Sequence, residues 1–149
     1  MDDACCKPVR DPLNNSSGAA PFFGRLLISL IFILAGVMKI FIFPETVSAL
    51  EAAGIRLANM FTAVALLLEL IGGLLVLAGW HTRIGVYLLM IFLLPTTLIF
   101  HGFWNFQGHE LAEQMSHFLK NMAILGGLLL LWSYGPGRWS VDACRCQSK

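Results

Sequence analysis

The sequence predicts an all-α fold, a bundle of four antiparallel transmembrane helices, from three features. Apolar runs span residues 22–43, 57–79, 84–100 and 118–134. Each is long enough to cross the ~30 Å hydrocarbon layer, which takes a helix of about 17–25 residues. The chain is 57% hydrophobic and 13% charged, against about 25% charged in a soluble domain. The turn Trp80–Arg83 is so short that the second and third spans must be antiparallel neighbours. A formal net charge of +1 argues against a broad nucleic-acid footprint, and the expected surroundings are a lipid bilayer.

Residues 1–21 are polar, rich in Asp, Asn, Ser and Pro, and read as a flexible tail. Asp2 and Asp3 stand where a signal peptide would be basic, so the first apolar run is expected to be a retained anchor. In that run Arg25, Ser29, Phe32, Gly36 and Lys39 share one helical face, and Pro44 is expected to end the helix. The loop Pro44–Arg56 has the makings of a short interfacial helix.

The second run, Leu57–Gly79, carries one charge, Glu69, near its middle. A carboxylate at the bilayer centre costs at least ~2.5–3.5 kcal/mol, so Glu69 requires a partner, a proton or water. Thr62, Ala65, Gly72, Gly73 and Val76 share its face, which turns Glu69 into the bundle. In the third run Pro95 is expected to kink the helix, with Thr96 and Thr97 hydroxyls satisfying freed carbonyls. His101–His117 reads as the longest loop, with Phe103, Trp104 and Phe106 as an interfacial aromatic cluster. The fourth run opens with Lys120-Asn121, and Gly135-Pro136-Gly137 ends it ahead of a polar tail. The folded domain is expected over residues 22–142, with 143–149 as a C-terminal tail.

Four spans place both termini on one side, together with Lys7, Arg10, Arg25, Arg83, Arg138, Arg145 and Lys149. The other side holds Arg56, with Lys39 and Lys120 near the membrane edge. By the positive-inside rule both termini are expected in the cytoplasm.

At ~1.5 Å of rise per residue, Glu69 lies about 15 Å from the cytoplasmic ends of the spans, and Lys39, His101 and Lys120 about 20–25 Å. A Lys39–Glu69 or Lys120–Glu69 pair would relieve part of the burial cost, with Arg25 as a rival partner from the opposite end. One reading is a polar pocket open to the outer face, taking an anion or the carbonyl head of a quinone. Lys39, Lys120 and Asn121 would donate hydrogen bonds, and Glu69 or His101 would carry protons. The other reading is that these groups lock the bundle and snorkel. His109, Glu113 and His117, spaced i, i+4, i+8, offer a weak metal-binding face without a fourth ligand. Cys5, Cys6, Cys144 and Cys146 lie in the tails, where they either bind a thiophilic metal, form a redox pair or are inert. No pair of histidines within the spans supports a bis-His haem, and no GxGxxG or P-loop pattern points to nucleotide binding.

The order Arg25…Gly36…Lys39, Glu69 then Gly72-Gly73, Gly79…Thr82-Arg83, His101-x-x-Trp104, Phe118-x-Lys120-Asn121 and Gly135-Pro136-Gly137…Ser140-x-Asp142 resembles the DoxX family of small bacterial membrane proteins. The resemblance spans about residues 22–142, and its specificity lies in the order and spacing of short motifs. It implies a four-helix inner-membrane protein. The family takes its name from a subunit of a thiosulfate:quinone oxidoreductase, and other members are linked to redox-stress complexes. The resemblance therefore implies a quinone-linked oxidoreductase, or the membrane subunit of a redox complex with a partner protein. Catalytic roles would fall to Glu69, Lys39, Lys120 and His101, and cofactor contacts to Asn121, Trp104 and Arg25. The competing expectation is a non-enzymatic membrane scaffold, or a small-solute or anion carrier. Four short helices enclose little volume, which makes a homo-oligomer an open expectation.

Overall fold

A computed structural model describes residues 18–147. All regular structure among them is helical: α1 (Ala19–Phe41), α2 (Phe43–Ala52), α3 (Ala58–Ala78), α4 (Thr82–Phe100), α5 (Gly108–Tyr134) and α6 (Val141–Gln147), with a 3-10 turn at Phe103–Asn105. Four of these, α1, α3, α4 and α5, are long and apolar enough to cross a membrane. Large apolar residues such as Leu27, Leu34, Leu74 and Ile91 face outward, whereas Arg25, Ser29, Thr62, Glu69, Thr82 and Thr97 are buried. Lipid tails are as apolar as leucine, so burial sorts the few polar side chains inward and leaves the greasy ones outside.

Helix α3 is the centre, packed on α1 at one side and α4 at the other; α5 closes against α4. Glycines set the distances. A Cβ on Gly36 would come within 2.7 Å of Leu70, and one on Gly73 within 2.8 Å of Ile33, so α1 and α3 meet where side chains are missing. Between α3 and α4 the contact is reciprocal: a Cβ on Gly72 would lie 3.1 Å from the Gly85 carbonyl, and one on Gly85 3.0 Å from that of Gly72. The buried apolar core is Phe32, Val76, Val86, Leu89, Leu93 and Leu128. A second cluster, Val47, Leu50 and Ala58 with Phe43, Ile55 and Phe100, seats α2 across the ends of α3 and α4.

At the opposite end the C-terminal segment folds back onto the α3–α4 turn. Asp142 accepts hydrogen bonds from His81 N–H, Thr82 N–H and Thr82 Oγ1 at 2.9–3.1 Å. His81 sits in the left-handed region, φ 45°, at the start of α4 with no cap of its own. Asp142 supplies that cap from 60 residues away.

Three local expectations change. Residues 108–117 are helix rather than loop, so the connection shrinks to residues 101–107. Hydropathy marks where a helix enters lipid, not where it starts, and Glu110, Glu113 and Gln114 are good helix formers outside it. Pro44 does not end the first helix. α1 closes at Phe41, and Pro44 occupies the first turn of α2, where its missing N–H is harmless. Helix α4 runs through Pro95; Thr96 and Thr97 hydroxyls donate to Phe92 and Leu93, not to the Ile91 carbonyl that the proline leaves. The expected N-terminal tail lies outside the described residues as far as residue 17, while 19–21 already belong to α1. The polar C-terminal segment carries α6.

Replacing Gly72 by Leu should lower stability by about 1–3 kcal/mol or more through overpacking against Leu89 and the Gly85 backbone. Gly126→Ala, where no atom lies within 4 Å of the added methyl, should be neutral or slightly stabilising. Unfolding in mixed micelles compares the two directly.

Candidate functional site

Lys39 lies in the last turn of α1, and α3 presents Glu69 opposite it. Lys39 Nζ donates to Glu69 Oε2 at 2.5 Å, with side chains 16% and 3% exposed. The pair is thus almost withdrawn from solvent, and the ammonium also sits 4.8 Å above the Phe92 ring of α4. The single-residue break at Ile42 lets α1 stop just beyond Lys39, so the amine is delivered to the bundle edge without leaving it.

Helix α5 closes the other wall. Asn121 Nδ2 donates to Thr97 Oγ1 at 2.9 Å, and Thr97 in turn donates to Leu93 O at 2.7 Å. This chain orients the amide and leaves its second N–H and its oxygen unused by that bond. His101, at the C-terminal end of α4, pairs through Nδ1 with Gln114 Oε1 at 2.9 Å. An amide oxygen only accepts, so in this bond Nδ1 is the donor. The His101 ring stacks on His117, with centroids 5.0 Å apart and planes 15° from parallel. Lys39, Glu69, His101 and Asn121 line one cavity of about 250 Å³, walled by Phe32, Phe92, Thr96 and Ile124.

Four of the residues singled out in the sequence therefore meet, and three do not. Lys120 is exposed and outside the cavity. Successive helical residues point about 100° apart, so turning Asn121 inward turns Lys120 away. Trp104 is 58% exposed and packs edge-on against Phe103 and Phe118 at the membrane-edge turn. Arg25 is buried at the far end of α1, about 21 Å of helix from Lys39. It donates to the carbonyls of Leu77 at 3.0 Å, Val76 at 3.3 Å, and Trp139. It pins the C-terminal segment to α3 instead of competing for Glu69.

The sequence reading missed Phe92, Thr96 and Thr97 as site residues, and Gln114 as the partner of His101. The Phe92-x-x-x-Thr96 spacing on one face of α4 is their signal. Among the described residues no group of three His, Cys, Asp or Glu side chains is placed to hold a metal, so the His109–Glu113–His117 face does not form one. Cys144 is an exposed free thiol; Cys5 and Cys6 lie outside the described residues.

Residues 20–102 match the DoxX family, a segment that carries Arg25, Lys39, Glu69 and His101. The chain belongs to the DoxX family. Similar proteins include two named as inner membrane proteins of Escherichia coli. YphA is 32% identical over 118 residues, 79% of this chain and 84% of that protein. YqjF is 38% identical over 120 residues, covering 79% and 85%. An uncharacterized membrane protein of Mycobacterium tuberculosis is 32% identical over 133 residues, 79% of this chain and 76% of its own. No solved structure matches the chain. The DoxX segment thus brings the Lys39–Glu69 pair and His101, while α5 supplies Asn121 from beyond it.

Each half of the pair should be costly to remove alone. Lys39→Met strands a carboxylate and Glu69→Gln strands an ammonium, each expected to lose about 3 kcal/mol of stability. The double variant should recover most of that loss. A double-mutant cycle of unfolding midpoints measures the coupling.

Proposed function

We propose that this DoxX-family protein is an inner-membrane component of a quinone-linked redox reaction, as an oxidoreductase or as the membrane subunit of a redox complex. The supporting observation is the cavity itself: a charge-neutral ion pair, an oriented amide and an imidazole facing apolar and aromatic walls. Those residues fit a quinone head, which needs donors for carbonyl oxygens and flat apolar surfaces for its ring. YphA and YqjF, both named as inner membrane proteins, support the inner-membrane reading.

A bound quinone supplies the chemistry of taking up two electrons and two protons to become a quinol. Electrons would come from a partner redox protein or a reduced sulfur donor. Lys39 and Asn121 would hold a quinone by donating hydrogen bonds, the amide through the N–H that its bond to Thr97 leaves unused. Glu69 and His101 would hold and hand over protons, and the His101 ring stacks on exposed His117. Phe92 and Phe32 exclude water from the ring.

The excess of Lys and Arg at the end of the bundle where Arg25, the α3–α4 turn and α6 converge supports a cytoplasmic side for both termini. A variant retaining only Cys144, which is exposed, should react with an impermeant maleimide in inverted vesicles and not in intact spheroplasts. The opposite pattern reverses the topology.

Reconstituted protein should bind a water-soluble quinone analogue and change the redox state of the quinone pool when supplied with donor and partner. Lys39→Met, Glu69→Gln and Asn121→Leu should each weaken analogue binding at least tenfold, about 1.4 kcal/mol. Lys120→Ala, outside the cavity, should not. Wild-type binding in all four variants would reject the assignment, and solute flux into liposomes without quinone binding would favour a carrier.

A further inference from the structure

A second cavity, about 550 Å³, lies between α2, α3 and α4. It shares Lys39, Phe92 and Thr96 with the polar cavity, so the two spaces border the same three side chains. Three of its polar lining residues are threonines. Thr46 donates to Ile42 O, Thr62 to Ala58 O and Thr96 to Phe92 O. Each hydroxyl proton is spent on its own helix, which leaves the wall apolar everywhere except at Lys39. Phe61, Val64, Ile91 and Ile99 line the groove and are about half exposed, which opens it sideways to the acyl chains.

We propose that this groove holds the prenyl tail of the quinone whose head occupies the polar cavity, so that the ligand enters laterally from the bilayer. The inference rests on the quinone reading above and extends it from a head-group site to an amphiphile site. The polar cavity alone, at about 250 Å³, lies below the ~300–1,000 Å³ of sites that enclose a whole ligand. The groove follows α3 from Phe61 to Leu68, about 10 Å of helix, enough for the head-proximal part of a long tail. Charge selects the occupant. Lys39 is already neutralised by Glu69, whose carboxylate would repel a phosphate, so the junction favours a neutral carbonyl head over a phospholipid head group.

The test uses full-length protein in phospholipid nanodiscs and a prenylated quinone with a photoreactive group in the first part of its tail. Crosslinks are expected on Phe61, Ile91 or Ile99, reduced at least tenfold by excess unlabelled prenylated quinone. Ala65→Phe fills the groove away from the head cavity. It should abolish this labelling while a tail-less quinone analogue binds as in the wild type, which also shows that the variant is folded. Val64→Trp, at the lipid-facing rim, should reduce labelling in the same way with less demand on packing. Labels spread over outward residues such as Leu34 and Leu67, or unaffected by both substitutions, would overturn the proposal, as would a phospholipid chain retained in the groove while quinone binds. In that case tail-less binding survives and the head-group reading stands. If neither quinone binds the wild type, both readings fall together.

Discussion

The structure depends on how a carboxylate is carried through the middle of an apolar helix. Glu69 interrupts a 21-residue membrane-spanning segment, and an unpaired charge at that depth costs several kcal/mol. Lys39 meets it at 2.5 Å across the α1–α3 interface. That contact requires the two helices to be close, which the missing side chains of Gly36 and Gly73 permit. It also requires α1 to end just past Lys39, which the break at Ile42 and the turn into α2 provide. Close packing, helix termination and charge pairing are thus one arrangement seen from three sides.

The same helix solves the opposite problem at its other end. Arg25 is as deeply buried as Glu69 but forms no contact ion pair; backbone carbonyls at the end of α3 and of Trp139 accept its hydrogen bonds, and Asp142 acts on it from a longer range. A guanidinium offers five donors in a fixed fork, which suits several carbonyls at once. Asp142 secures the same junction by capping α4. Helix α1 is therefore fastened to α3 near both ends, and between α1, α4 and α5 at the Lys39 end lies the polar cavity.

Much of this was legible in the sequence. The face Arg25, Ser29, Phe32, Gly36 on the first helix is the buried face, as is Thr62, Glu69, Gly72, Gly73, Val76 on α3. Periodicity carries such faces well because small and polar residues stand out in an apolar run. Rotational phase at the edge of a run carries less. Lys120 and Asn121 are adjacent in sequence, and which one enters the bundle is settled by Thr97 on another helix. The partners of Arg25 were illegible for a different reason: backbone carbonyls have no sequence signature. The start of α5 was hidden because its first turns lie outside the apolar run.

The central claim is that Lys39 and Glu69 are in direct contact inside the bundle, and solid-state NMR of isotope-labelled protein in lipid bilayers measures it most directly. A strong dipolar contact between Lys39 Nζ and Glu69 Cδ, with no cross-relaxation from acyl-chain protons to the carboxyl, is the expected result. A Glu69 carboxyl that sees lipid protons and no lysine nitrogen would contradict both the packing of α1 on α3 and the site built on it.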